Sequence, residues 1–183
     1  QIDVDTFRHI YTFELLKKFN PKTICVIGDG KINGDLGANL TFPNAKIFSV
    51  NLSETLINDY LILKKTNLKI KNSIKVILSE NDTVDENQLF FIPSKFKNFL
   101  VNKKIDLFIN IASFQEMDFL EIQKYFEIIK NNKSILYCCN REYKELSGGE
   151  KLYFNKYPWG EGKKEFFEDC PWHQKYYSRK FPF

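Results

Sequence analysis

The sequence predicts an α/β protein with a Rossmann-like open sheet, mostly parallel, that carries helices on both faces. Apolar runs typical of buried strands alternate with stretches in which apolar residues recur at a period of about 3.6 residues. The first apolar run, at about 23–28, ends in closely spaced glycines and is followed at once by a helical pattern. A later run, 105–111, is apolar almost throughout, as in parallel strands that are buried on both faces.

The remaining elements follow in a regular order. An amphipathic pattern predicts an N-terminal helix over 3–19, which Asn20-Pro21 ends. The patterns after the first strand predict, in order, a helix at about 34–41, a strand at 46–51, a helix from 53 to about 63, a short strand at 74–78, a strand at 89–92, a helix at 94–101, a strand at 105–111, a helix at about 117–130 and a strand at 134–140. Residues 151–157 alternate as an antiparallel strand does. We therefore predict one domain over 1–183, with its core at 23–140 and an aromatic-rich C-terminal extension at 141–183.

Composition argues against several classes of protein. With 43% hydrophobic and 27% charged residues, the chain of 183 residues is ordinary for a globular protein. It has no apolar run of about 18 residues that would span a bilayer and no visible signal peptide, so we expect a cytoplasmic protein without a membrane partner. The net charge is +4, but the basic residues are dispersed, which does not favour a nucleic-acid partner. The four cysteines form no CxxC pair, so we expect reduced thiols and no metal site. A homo-oligomer is compatible with the sequence.

The stretch 23–40 organises the chain, because its glycines mark a tight turn from a buried strand into a helix. Gly28, Gly30 and Gly34 have the spacing GxGxxxG, one residue longer than the dinucleotide fingerprint GxGxxG. Without a Cβ atom, such a backbone lets a nucleotide-like ligand approach closely. Asp29 belongs to the same candidate cofactor site. An S-adenosylmethionine (SAM) site, a nicotinamide site and a purely structural turn all remain open from these residues alone.

A second candidate position follows the strand predicted at 46–51. In a βαβα unit, the tip of this strand meets the ribose of a nucleotide, where an acidic residue is expected. Asn51 stands there, and its amide oxygen is a weaker acceptor than a carboxylate. Glu54 is the competing ribose ligand, although it could instead be a helix-cap partner of Asn51 or Ser53.

Polar side chains also follow the strand predicted at 105–111. Ligands of open α/β sheets bind at the carboxyl ends of the strands. At this end the chain places Asn110, Ser113, Gln115 and Glu116 close together in sequence. We expect Asn110 and Ser113 to contact a cofactor and Gln115 to contact a substrate.

Four segments resemble the sugar O-methyltransferases, a branch of the class I SAM-dependent methyltransferases: VIGDG at 26–30, INIASFQEM at 109–117, YCCNR at 137–141 and YPW at 157–159. The resemblance covers residues 23 to about 172. It implies a Rossmann-like methyltransferase domain with SAM as methyl donor and S-adenosylhomocysteine (SAH) as product. The acceptor would be the hydroxyl of a sugar, a nucleotide sugar or a glycan.

The resemblance also implies roles for particular residues. Gly28, Gly30 and Gly34 would pass along the methionine and ribose of SAM, and Asn51 would stand at the ribose. Two departures stand out: Asn51 replaces the usual acid, and no clear final antiparallel hairpin precedes Phe183. The second departure is compatible with a truncated chain.

Methyl transfer to a hydroxyl requires alignment of the two partners and a base that removes the hydroxyl proton. Glu116 is the first candidate base, because we expect its carboxylate to be partly buried beside Phe114 and Met117 and to reach the acceptor. His173 is the second, since a neutral imidazole is a natural base near neutral pH. Both have simpler interpretations, namely a helix N-terminal carboxylate and a surface residue of the C-terminal extension.

Three further residues are candidates for acceptor binding. Trp159 and Trp172 offer flat apolar faces to a sugar ring, although such residues also pack. Arg141 would orient an acidic sugar or a nucleotide-sugar phosphate, or form a surface ion pair. Two other functions remain open: a non-catalytic methyltransferase-like binding or assembly module, and an NAD(P)-binding oxidoreductase.

Overall fold

The structure is a computed structural model that describes residues 4–101, 103–162 and 164. Its four α-helices are α1 (Val4–Leu16), α2 (Asn33–Thr41), α3 (Ser53–Lys64) and α4 (Phe119–Asn132). Its strands are β1 (Thr23–Ile27), β2 (Lys46–Asn51), β3 (Ile74–Val76), β4 (Leu89–Pro93), β5 (Leu107–Ile111), β6 (Ile135–Cys139), β7 (Tyr143–Glu145) and β8 (Lys151–Tyr153). Short 3₁₀ helices lie at Lys17–Phe19, Lys69–Asn72, Ser94–Leu100, Phe114–Glu116 and Phe154–Lys156.

Strands β1 to β6 form one sheet in the order β3-β4-β2-β1-β5-β6. Every neighbouring pair in this sheet is parallel. Without the edge strand β3, the order is that of a Rossmann fold. The direction of winding reverses between β1 and β5, which are neighbours in the sheet, and the pairing of Ile27 with Asn110 brings their carboxyl ends together.

Helices cover both faces of the sheet, as the sequence predicts. Side chains alternate along each strand, so that Ile24 and Val26 of β1 face one core and Cys25 and Ile27 face the other. The first core is completed by α1, α2 and α3, through Phe13, Leu16, Ala38, Leu56 and Leu63. The second is completed by α4 and the 3₁₀ helix at Ser94–Leu100, through Phe99, Leu100, Ile122, Tyr125, Phe126 and Ile129. The prediction of an open α/β fold is confirmed.

Two predicted elements differ in detail. The segment expected to be a helix at 94–101 is a 3₁₀ helix with a kink at Phe96. The antiparallel strand expected at 151–157 ends at Tyr153, pairs with β7 and forms a separate two-stranded sheet. Its alternation stops there because the rings of Phe154 and Tyr157 turn towards each other and towards the second core. Within the described residues, no helix is long and apolar enough to cross a bilayer.

Helix α1 docks on the rest of the fold through two close contacts. A Cβ atom on Gly37 of α2 would overlap the ring of Phe13, which is buried on α1. Thr12 Oγ1 also donates a hydrogen bond to the Tyr137 hydroxyl of β6, at 3.0 Å. The absence of a side chain at Gly37 therefore lets α1 lie directly against α2.

We expect Gly37→Val to lower the free energy of unfolding by about 1–3 kcal/mol, because the added methyl groups displace the ring of Phe13. Urea denaturation of the full chain measures this loss. Gly148→Val is the matched control, since a Cβ atom there meets nothing within 4 Å. Equal stability of the two variants would contradict the close contact between α1 and α2.

Candidate functional site

The glycine loop, residues 28–32, connects β1 to α2 at the point where the strand order of the sheet reverses. Ligands of open α/β sheets bind in this crevice. A cavity of about 180 Å³ opens there, lined by Arg8, His9, Val26, Ile27, Gly28, Asp29, Gly30, Lys31, Asn33, Ile109 and Ile111. Arg8 and His9 come from α1, and the sequence gives no sign of their role, because it does not show that α1 crosses to this edge.

The three predicted glycines serve different purposes. Gly28 has φ +74°, and a Cβ atom on it would overlap Ser113 Oγ at the end of β5. A Cβ atom on Gly34 would lie 2.9 Å from Val26 Cγ1 and 3.0 Å from Asp29 Oδ2. A Cβ atom on Gly30 would meet nothing within 4 Å, and Gly30 lines the cavity. Gly28 and Gly30 both line the cavity, but only Gly30 has an open Cβ position, while the missing side chains of Gly28 and Gly34 allow contacts within the protein.

Asp29 occupies the amino end of α2. Its carboxyl is buried, with 7% of the residue exposed, and Oδ2 accepts the backbone N–H of Asp35 at 2.9 Å. Burial raises the pKa of Asp29, and the backbone N–H of Asp35, the charge of His9 and the backbone N–H groups of Gly34 and Lys31 oppose that rise. The first turn of α2 thus has a carboxyl of the protein at the position where Rossmann folds hold a phosphate.

Asn51, at the end of β2, joins that strand to the glycine loop. Its Nδ2 donates to the carbonyl oxygen of Asp29 at 2.7 Å, and its Oδ1 accepts the N–H of Leu52 at 2.9 Å. Both ends of the amide are used, and the oxygen keeps one lone pair for a ligand. Glu54 lies exposed in the first turn of α3.

A network of side-chain amides joins the ends of β5 and β6. Asn110 is fully buried; its Nδ2 donates to the carbonyl of Ile27 at 3.1 Å, and its Oδ1 accepts from Asn140 Nδ2 at 2.8 Å. Asn140 Oδ1 accepts the N–H of Gln115 at 3.1 Å, and Gln115 Oε1 accepts the N–H of Arg141 at 2.8 Å. The structure thus brings Asn110, Gln115 and Arg141 together, and the two predicted amides hold the strand ends.

Glu116 differs from expectation. Its side chain is 56% exposed, so the expectation of partial burial is wrong. The 3₁₀ helix at Phe114–Glu116 turns Phe114 into the core and Glu116 outward. Glu116 Oε1 lies 3.1 Å from Lys144 Nζ and accepts from Gln115 Nε2 at 3.4 Å. Both of these contacts of the carboxylate involve the same oxygen, Oε1.

The predicted aromatic residues are only partly described. Trp159 packs edge-on against Phe126, with ring centroids 5.1 Å apart, and its indole N–H donates to the carbonyl of Phe154 at 2.8 Å. It remains 37% exposed, so that part of the ring faces solvent. Trp172 and His173 lie outside the described residues.

Beneath the glycine loop lies a group of buried polar side chains that sequence reasoning missed. Asp35 of α2, Asp59 of α3 and Ser49 of β2 are exposed by 1% or less. Burial and the charges of Asp29 and Asp59 raise the pKa of Asp35 well above its ordinary range, while the Ser49 hydroxyl lowers it. Burial and the charge of Asp29 raise the pKa of Asp59 to about 7, against the nearby N–H of Ile32. In sequence, both aspartates look like ordinary polar positions of amphipathic helices.

The comparisons with known proteins are distant. No protein-family model and no curated protein matches the chain. Among solved structures, the chain is similar to a proposed O-methyltransferase from Nostoc punctiforme PCC 73102, at 13% identity and a TM-score of 0.48 over 75% of this chain and 34% of that one. It is also similar to a proposed caffeoyl-CoA O-methyltransferase from Staphylococcus aureus, at 16% identity and a TM-score of 0.45 over 75% of this chain and 63% of that one.

A third similar structure is human N-acetylserotonin methyltransferase in complex with SAM. The identity is 12% and the TM-score 0.38, over 68% of this chain and 34% of that one. The chain thus spans less than two thirds of each of these three proteins. All three TM-scores are below 0.5, so these likenesses assign no function to the chain.

We expect Asp35→Asn to stabilise the protein at alkaline pH. A carboxyl whose pKa is raised by folding binds its proton more tightly in the folded state, so its contribution to stability falls as the pH rises above about 4. The neutral amide removes this loss, so the free energy of unfolding at about pH 8 should rise by about 1–3 kcal/mol, with little change at about pH 4. Urea denaturation at both pH values measures it.

The matched control is Glu127→Gln, which removes an exposed carboxyl from a helix. It should change the free energy of unfolding by less than about 0.5 kcal/mol at either pH. A loss of stability in Asp35→Asn at pH 8 would show that Asp35 is needed as a charged group.

Proposed function

We propose that the chain is a SAM-dependent O-methyltransferase domain that transfers a methyl group to a sugar hydroxyl and releases SAH. The observation that carries this proposal is the arrangement of the glycine loop. Gly30 opens onto the cavity, while the carboxyl of Asp29 occupies the amino end of α2. This arrangement suits a nucleoside ligand without phosphate.

The position of Asp29 favours SAM over a nicotinamide dinucleotide. In Rossmann folds, the pyrophosphate of a dinucleotide accepts hydrogen bonds at the amino end of the helix after β1. Here Asp29 Oδ2 already accepts the N–H of Asp35, so a pyrophosphate would meet a carboxyl. SAM carries no phosphate, and its amino-acid end is a zwitterion. Asp29 suits the ammonium of that zwitterion, and Arg8 suits its carboxylate.

The remaining residues of the proposed cofactor site lie around the same crevice. Asn51 would accept one ribose hydroxyl through its remaining lone pair, with Glu54 as the alternative ligand. Ser113, packed over Gly28, and Asn110 would hold the end of β5 beside the reacting methyl group. When bound, SAM supplies a methyl group already activated for in-line displacement.

The protein then has to orient the acceptor hydroxyl and remove its proton. Glu116 is the base that we propose, and its carboxylate would accept the proton of the acceptor hydroxyl. His173 is the second candidate. The ion pair with Lys144 would open as the acceptor enters. Arg141 and the exposed part of Trp159 would bind the acceptor, with Trp172 as a further candidate, and Gln115 would act by holding the backbone of Arg141.

The choice of a sugar hydroxyl rests on the residues of segments 109–117, 137–141 and 157–159, which resemble the sugar O-methyltransferases. One observation favours a second candidate function. Asn51 replaces an acid, and both ends of its amide have partners within the protein. A methyltransferase-like module that binds or assembles without catalysis is therefore the alternative.

We expect titration calorimetry to detect binding of SAH but not of NAD, because the carboxyl of Asp29 disfavours a pyrophosphate. Gly30→Val should weaken SAH binding at least tenfold without lowering stability, since its side chain would fill the cavity. Gly148→Val serves as the control, because it adds the same side chain at an open position outside the cavity lining. Binding of NAD, or no binding of SAH, would refute the proposed cofactor.

We expect Glu116→Gln to lower the turnover of a sugar acceptor by about 100-fold or more and to leave the affinity for SAH unchanged, because only proton transfer is lost. The release of SAH in the presence of free sugars and nucleotide sugars measures turnover. Glu142→Gln, which changes an exposed carboxylate nearby, should retain full activity. A fully active Glu116→Gln would exclude Glu116 as the base, and no turnover by the wild-type chain would favour the non-catalytic module.

A further inference from the structure

Three aspartates from three elements meet under the glycine loop. We call Asp29 of the loop, Asp35 of α2 and Asp59 of α3 the acid cluster. Their exposed fractions are 7%, 1% and 0%. Ser49 of β2, fully buried, lies close enough to Asp35 to affect its ionisation. Asp59 is a polar group of α3, a helix that does not line the cavity, and its carboxyl lies near the loop.

The backbone of the loop is unusual where it meets Asp59. Ile32 is fully buried and has φ +57°, a left-handed conformation that a β-branched residue rarely adopts. Such a conformation persists only where its surroundings hold it. The N–H of Ile32 lies near the carboxyl of Asp59 and favours its ionised form, and the carbonyl of Ile32 accepts the N–H of Leu36 to begin α2. Asp59 therefore adjoins the residue that sets the path from Gly30 into the helix.

The carboxyl groups of Asp35 and Asp59 are buried without hydrogen bonds that would stabilise a charge. Neither carboxyl oxygen of Asp35 or of Asp59 has a hydrogen-bond partner of good geometry, and the Ser49 hydroxyl has none either. A buried carboxylate without partners is costly, whereas a protonated carboxyl is tolerated far better.

We propose that Asp59 is a positioning residue of the glycine loop, and that protonation of the acid cluster makes the order of this loop depend on pH. Where the loop binds SAM, which rests on the function proposed above, the affinity for SAM and SAH follows the same dependence. Asp59 touches neither ligand and acts through Ile32.

The direction of this pH dependence follows from the titratable groups that face Asp59. Asp29 and Asp35 face it from the loop and from α2, and beyond them His9 of α1 acts on Asp29 and Cys25 of β1 on Asp35. Since burial and Asp29 raise the pKa of Asp59 to about 7, the closed loop binds the proton more tightly than an open, solvated loop does. By linkage, the closed loop is favoured in acid and loses stability as the pH rises from about 4 through 7.

Hydrogen exchange on the full chain without ligand tests whether the order of the glycine loop depends on pH. We expect the protection factor of the peptide covering Lys31 to Leu36 to fall by about tenfold or more between about pH 5.5 and 8.5, since one pKa unit corresponds to tenfold. In Asp59→Asn, which keeps the shape of the side chain but cannot ionise, protection should fall by less than in the wild type, because only Asp29 and Asp35 of the cluster still titrate. Glu127→Gln, an exposed helical carboxyl, should behave as the wild type does.

Calorimetry with SAH at the same pH values forms the second measurement. Affinity should fall with rising pH in the wild type and fall by less in Asp59→Asn, where Asp29 and Asp35 still titrate. If the wild type shows pH-dependent protection but does not bind SAH, the proposed function is refuted and the loop inference is supported. SAH binding with constant wild-type protection, or the same pH dependence in Asp59→Asn, would overturn the inference and leave the function standing. If Asp59→Asn does not fold, constant protection in the wild type alone overturns it.

Discussion

The contact between Gly28 and Ser113 is the constraint on which the crevice depends. It brings the end of β1 against the end of β5 at the point where the sheet reverses its winding, and only a residue without Cβ permits it. Asn110 reinforces the contact by donating to Ile27. With these two strand ends fixed, the loop turns outward at Gly30, and a cavity is left between the loop and α1.

Much of the fold could be predicted from local pattern. Strands such as β2 and β4 are short, mostly apolar runs close to a proline, and the structure places both within one residue of the prediction. The segment at 151–157 shows the limit of this approach. Its alternating residues fit a strand, but Phe154 and Tyr157 pack against a core built from distant parts of the chain. A local sequence pattern cannot predict that core.

The candidate site was less predictable than the fold. The glycine spacing located the loop. It did not show that a Cβ atom on Gly28 or Gly34 would overlap the protein, or that the Cβ position of Gly30, which lines the cavity, is open. Arg8 reaches the site because α1 docks on α2 at Gly37 and on β6 at Tyr137. The burial of Asp35 and Asp59 could not be predicted from the sequence, because tertiary packing decides whether a carboxyl is buried. The roles of the individual site residues stay predictions.

The carboxyl at the amino end of α2 also has an evolutionary consequence. Replacement of Asp29 by a small neutral residue would remove the acceptor of the Asp35 N–H at the amino end of α2, the end of a helix that favours an anion. Under the cofactor proposed above, a single substitution would therefore remove the group that disfavours a pyrophosphate. The same side chain also organises the loop through backbone N–H groups, so a lineage that took this step would first need another way to order the turn.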